Sequence, residues 1–265
     1  MRTSGIIGAI IVSTVVFGAL LSLVWTPYDP VHVIPEDRLQ GSSLEHFLGT
    51  DRYGRDVFSQ ILAGSRITLL VGLVAVGIGA GLGIPLGVIA GMKRGLIDQF
   101  IMRGADMLLA FPALLLAIIS GAAFGASTIS AMVAIGIAAS PSFARVARSG
   151  TLQVMSRDYI AAAKLSGRSP IPHILPNIAG VLTVQASVAF ALAILAEAAL
   201  SFLGLGTPPP DPSWGRMLQS AQASLGSEPM LAVWPGLTIA ITVLGFNLLG
   251  DGLRDLIDPK TRRAA

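Results

Sequence analysis

The sequence contains no cysteine. That excludes a disulfide framework, a thiolate metal site and a cysteine nucleophile. Charge is scarce too: 12% of the residues are Asp, Glu, Lys or Arg, against roughly 25% in ordinary soluble domains. With so little charge in a mostly apolar chain, a nucleic-acid surface is not expected. The three histidines, His32, His46 and His173, stand in separate loops without metal-ligand spacing, so no metal site is expected. No nucleophile, base and orienting group can be assembled from the sequence, which disfavours an intramembrane enzyme and leaves no catalytic residue to name. The G-x-x-x-x-G-K-[ST] phosphate loop is missing as well.

What the chain does have is apolar length. Over 265 residues it is 53% hydrophobic, with a mean hydropathy of +0.73, and a bilayer core needs about 20 apolar residues per helix. Six stretches qualify: Ile6–Trp25, Ile67–Gly91, Asp106–Phe124, Ile129–Ala147, Ile178–Gly204 and Leu231–Leu249. The expected fold is an all-α integral membrane domain over 1–265, with six transmembrane helices. The first stretch reads as an uncleaved span, because only Arg2 precedes it and no small-x-small site comes before Trp25. With six spans both termini share a side, leaving outer segments 26–66 and 205–230, an inner loop 148–177 and a tail 250–265. Of the 18 Lys and Arg residues, 13 then fall inside and 5 outside (Arg38, Arg52, Arg55, Arg66 and Arg216). Short basic loops stay in the cytoplasm, so both termini are expected there.

Gly79, Gly83, Gly87 and Gly91 recur every fourth residue and share one side of the second span. Such a ridge lets a neighbouring helix come close, either as a fixed packing surface or as one that slides in gating; Pro85 should kink it. In the inner loop, Ser156 is a plausible N-cap, Asp158 complements the helix dipole and Gly167 is a C-terminal stop. A short exposed helix is therefore expected, with Ala161, Ala162 and Ala163 presenting a small-residue surface. Asp98, Arg103 and Asp106 read as interfacial pairs, and Asp251, Arg254, Asp255 and Asp258 as a solvated terminus.

At about 1.5 Å per residue, Glu197 should lie near the outer end of the fifth span. There it either faces a translocation path or outer gate, with Ser201 beside it, or fixes the outer loop through backbone amides or an arginine such as Arg216. Beyond it, Gly204 and Gly206 permit a bend, Pro208, Pro209, Pro210 and Pro212 stop the helix, and Trp214 suits the membrane interface.

"DYIAAAKLSG" (Asp158 to Gly167) followed by "HILPN" (His173 to Asn177) resembles the EAA motif of binding-protein-dependent ABC importer permeases. "HFLGTDRYGRDVFSQILAGSRITL" (His46 to Leu69), "IDQFIMRGADMLLAFPALLLAI" (Ile97 to Ile118), "PSWG" (Pro212 to Gly215) and "FNLLGDGLRDLIDP" (Phe246 to Pro259) are similar to the C-type permease of dipeptide, oligopeptide and nickel systems. The resemblance implies a bacterial inner-membrane subunit that pairs with a second, homologous permease, with two ATPase domains on one or two chains and with an extracytoplasmic solute-binding protein. ATP and Mg would be held by the ATPase subunits, with no cofactor on this chain. Asp158, Tyr159, Ala162, Ala163, Gly167, Leu175 and Pro176 would couple to the ATPase, and Glu197, Ser201 and Trp214 would be gate candidates. Short peptides are the implied cargo, with nickel or another small solute as the alternative. A stand-alone secondary transporter or channel is the reading of a different class; no ring of membrane acids and no inverted repeat supports it. Two departures stand out: Ala161 replaces the motif's usual glutamate, and "RSPIP" shortens the stretch after Gly167 by about a turn. The coupling helix should therefore end at Gly167 and return to the membrane by a tight extended turn.

Overall fold

The computed structural model describes residues 3–257. Arg2, Asp258, Lys260, Arg262 and Arg263 lie outside the described residues. In chain order the described helices are α1 (Thr3–Leu21), α2 (Val57–Lys93), α3 (Gly95–Ala110), α4 (Ala113–Phe124), α5 (Thr128–Met155), α6 (Asp158–Leu165), α7 (Ile171–Phe202), α8 (Trp214–Ala221) and α9 (Met230–Ile257). Five of them, α1, α2, α5, α7 and α9, are long and apolar enough to cross a membrane; α3 and α4 would make a sixth span if taken together.

That third span differs from expectation. It is not one helix over Asp106–Phe124 but two, bent by 81° at Phe111-Pro112. Pro112 has no N–H to give and its ring excludes the preceding turn, so Phe111 is extended at φ −86°, ψ 127°. The signal lay in the sequence, but the apolar run around it masked it.

The most extensive helix pairing joins α2 to α5, and the glycine ridge makes it. All four ridge glycines are buried, and a Cβ on Gly83 or Gly87 would stand 2.2 Å from the carbonyl oxygen of Ser140 or Ala144. The two backbones meet where side chains would otherwise hold them apart. At the end of this pair, α3 is tied to α5 by charge. Arg148 donates to both Asp98 oxygens at 2.5 and 2.6 Å, and Arg145 to Asp106 at 2.6 Å. The acids of the third span thus pair with α5.

Helix α2 begins ten residues before the expected span, so the segment between α1 and α2 covers 22–56. It is built rather than loose. Asp56 caps α2 by accepting from Ser59 N at 2.7 Å, and His46 Nδ1 sits 2.9 Å from the other Asp56 oxygen. The Tyr28 ring meets His46 at a tilt of 35° with centroids 4.6 Å apart, and its backbone N–H donates to Ser59 Oγ. Arg66, counted in the outer segment, instead lies in α2 and donates to Ser22 Oγ at 2.6 Å. At the far end α9 runs on through Asp251, Arg254 and Asp255.

Candidate functional site

Two regions at opposite ends of the bundle hold the residues singled out above. The first is α6. Its anchor is Ile160, fully buried against Ala147 and Val154 of α5 and Ile174 and Ile178 of α7, which fixes the short helix to the ends of two long ones. Tyr159 meets the His173 ring edge-on at 6.1 Å. Gly167, at φ +69°, ends the helix in the left-handed conformation as expected. Ser156 does not start it: its hydroxyl donates back to Gln153 O, and it is the C-cap of α5. The return is also shorter than expected. Pro172 falls in the first turn of α7, where a missing N–H leaves nothing unpaired, so Leu175 and Pro176 are already helical.

Around this anchor the surface is open, with apolar side chains exposed among charged ones such as Arg157, Asp158 and Arg168. Asp158, Tyr159, Ala162, Gly167, Leu175 and Pro176 are exposed and Ala163 is half-buried; Leu165 is 91% exposed, with Ile171 and Leu175 open beside it. Exposed apolar side chains at a helix tip, held rigid from behind, fit a protein partner better than water.

The second region joins the last turns of α7 to α2 and α8. Helix α7 closes on Gly204 at φ +79°, with Leu205 N donating to Leu200 O and Gly204 N to Ser201 O, the bond pair of a Schellman stop. Glu197 is 1% exposed. Its Oε1 accepts from Ser201 Oγ at 2.7 Å, and Ser201 Oγ in turn accepts from Thr207 N at 3.1 Å. Gly206 is present less for bending than for room, since its Cβ would stand 2.2 Å from Ser201 Oγ. The acid thus holds the loop after α7 through a serine rather than through Arg216.

Trp214 corrects the expectation of an interfacial ring: it is 1% exposed. Its indole Nε1 donates to Ile61 O at 3.0 Å and its ring lies on Gly64 of α2. Next to it, a Cβ on Gly215 would stand 2.2 Å from Ala198 O, so α8 rests directly on α7. Trp214 therefore fastens α8 to two spans. Removing the Glu197 acceptor should loosen the same corner. Glu197→Leu leaves the Ser201 hydroxyl buried without its acceptor, a cost of about 1–3 kcal/mol, whereas Glu197→Gln keeps one. Thermal unfolding in detergent should show the leucine variant melting well below the glutamine variant.

The sequence shows Arg52 and Arg55 only as charges of the expected outer segments, and Arg216 as one more such charge or a partner for Glu197. The fold brings them together. All three line one cavity of ≈ 310 Å³ at the Trp214 end. Arg216 is pushed below the ordinary arginine range by burial and by repulsion from Arg55 and Arg52, with Tyr53 opposing.

Residues 83–263 match the family of binding-protein-dependent transport system inner membrane components. The chain is 42% identical over 261 residues to the dipeptide transport system permease protein DppC of Alkalihalophilus pseudofirmus, covering 97% of this chain and 86% of that one. It is 44% identical over 241 residues to the glutathione transport system permease protein GsiD of Pectobacterium atrosepticum, covering 89% and 80%. It is also 41% identical over 268 residues to the di/tripeptide transport system permease protein DppC of Pseudomonas aeruginosa, covering 97% and 88%. In shape it is similar to an inward-facing structure of the MetNI methionine ABC transporter, with a TM-score of 0.62 at 17% identity over 75% of this chain and 96% of that one. With 83–263 matching the family and the sequence aligned to these permeases nearly end to end, the chain belongs to the inner-membrane components of binding-protein-dependent transport systems.

Proposed function

We propose that this chain is one membrane half of an ATP-driven importer that moves short peptides into the cell by alternating access. The observation that carries the reading is α6: an exposed tip with open apolar side chains, anchored by Ile160 into the ends of α5 and α7. A push on such a tip moves two spans as one, which supplies the differential contacts that switching between two states requires. Through Arg148–Asp98 and Arg145–Asp106 the push reaches α3 as well. The names of the relatives, which refer to dipeptides, di/tripeptides and glutathione, favour peptide cargo over nickel.

In this reading ATP and Mg are held by two ATPase domains, one of which docks on Asp158, Tyr159, Ala162, Ala163, Gly167, Leu175 and Pro176. A second, homologous permease completes the path, and an extracytoplasmic solute-binding protein delivers cargo to the Trp214 end. The bias of Lys and Arg toward the α6 side supports a cytoplasmic location for that side and for both termini.

Co-purification tests the assembly and transport tests the cargo. An ATPase and a second permease should come down with this chain, and proteoliposomes of the complex should accumulate a labelled dipeptide only with ATP and binding protein. Transport by this chain alone without ATP would sink the reading.

A further inference from the structure

The three arginines at the Trp214 end are held in place by the chain around them. Arg52 and Arg55 come from the turn before α2, and Arg216 from the first turn of α8, 161 residues after Arg55. The Tyr53 ring centroid lies 4.7 Å from Arg52 Cζ and 5.0 Å from Arg55 Cζ, within cation–π range of both. Asp51 fixes the turn, accepting from the backbone N–H groups of Tyr53 and Arg55 and from Arg55 Nε at 2.8 Å. Gly54, at φ +78°, closes it.

Charge there is only partly matched. Asp51 neutralises Arg55; among the described residues neither Arg52 nor Arg216 lies within ion-pair distance of a carboxylate. Arg52 Nε is buried without a hydrogen-bond partner. Asp211, among prolines that also line the cavity, is the one acid among the lining residues. Gathering like charges raises the energy of the chain alone, and an anion that accepts from them offsets that cost. The cavity has an apolar side as well, from Val31, Val33 and Met217. A guanidinium pair beside an apolar wall suits an organic carboxylate better than an inorganic oxyanion, because planar forks match carboxylate oxygens. Its volume is at the low end of small-molecule sites, roughly 300–1,000 Å³.

We propose that this cavity binds the terminal carboxylate of a short peptide, with Arg52 and Arg216 donating to its oxygens and the apolar wall taking the last side chain. The identity of the anion, though not the presence of a carboxylate site, rests on the peptide-importer reading. The permease would then add its own check on a free C-terminus to whatever selection precedes it.

The test uses the assembled transporter in lipid nanodiscs without solute-binding protein, and titrates alanyl-phenylalanine against its C-terminal amide. The acid should bind at least tenfold more tightly than the amide. Arg52→Gln and Arg216→Gln should each weaken the acid about tenfold, the scale of a lost charge-assisted hydrogen bond, while leaving the amide unchanged. The acid–amide comparison needs no mutation, so a misfolded variant cannot rescue or hide the result. Equal binding of acid and amide, or no binding of either, overturns the site. So does an arginine variant that binds the acid normally but loses affinity for the binding protein; that outcome assigns the cavity to protein docking. ATP-driven uptake of the same peptide, measured with binding protein in proteoliposomes, reports on the importer reading separately. Uptake with equal acid and amide binding removes only the site. Acid preference without uptake removes only the importer reading.

Discussion

A Gly83→Leu chain should fail to accumulate in the membrane, while Gly81→Leu, two residues away, should accumulate like the unaltered protein. Immunoblots of the membrane fraction and thermal unfolding in detergent read the difference. A Cβ at Gly83 would meet Ser140 O at 2.2 Å, Phe143 Cβ at 2.7 Å and Ala144 N at 2.9 Å. Two of these are backbone atoms, which cannot turn aside as a side-chain end can. Overpacking ordinarily costs about 1–3 kcal/mol and occasionally more; here the two helices must separate, so the cost lies at or above that range. Against a total stability of about 5–15 kcal/mol, loss of the largest helix pairing is enough to unfold the domain. Gly81 is exposed with nothing within 4 Å of its Cβ, and leucine there adds an apolar side chain to a surface that is already apolar. If both variants accumulate equally, the ridge is not what holds α2 to α5.

Ala162→Trp should lower ATP-driven uptake by tenfold or more while the chain remains folded and in the membrane. Ala162 is exposed on α6, so the added ring displaces no part of this chain and acts only on whatever docks there. The companion change is Ile160→Ala. Ile160 is fully buried, and truncating such a side chain costs about 2–5 kcal/mol, enough to free an eight-residue helix from its anchor. Both variants should lose transport, for different reasons. Ala162→Trp blocks docking, so the ATPase no longer co-purifies; Ile160→Ala keeps the docking surface but breaks the lever, so ATP is hydrolysed without uptake. Normal uptake by Ala162→Trp would remove α6 from the coupling path.

Much of the fold was legible in the sequence because the signals are local. Apolar length gave the spans, the four-residue glycine period gave the face that packs, and Gly167 marked where α6 stops. Each depends on residues within a turn or two of one another. Hydropathy did not place helix ends, because an apolar run says where a chain is lipid-soluble and not where its hydrogen-bond ladder begins. Helix α2 therefore starts at Val57 beneath its Asp56 cap, and α7 starts at Ile171 with Pro170 as its N-cap and Pro172 in its first turn, where a missing N–H leaves nothing unpaired. Pro112 was visible, yet its effect on an apolar stretch depends on whether neighbouring helices support the gap.

The candidate sites divide in the same way. The sequence by itself determined that this is a multi-span membrane chain, that a short alanine helix interrupts it at the α6 end, and that an acid and a proline stop mark the C-terminal end of α7. Only the tertiary structure decided what those groups touch. Trp214 has the amphipathic ring of an interface residue, but Gly64 and Ile61 lie 153 or so residues back in the chain and enclose it. Glu197 reaches a serine instead of an arginine, and Arg52, Arg55 and Arg216 become a cavity only when α8 folds onto the start of α2. The physical reason is that in a chain so apolar, lipid and protein interior look alike to each residue. Burial and charge pairing are then set by which helices meet, and that is fixed by backbone approach between residues far apart in sequence.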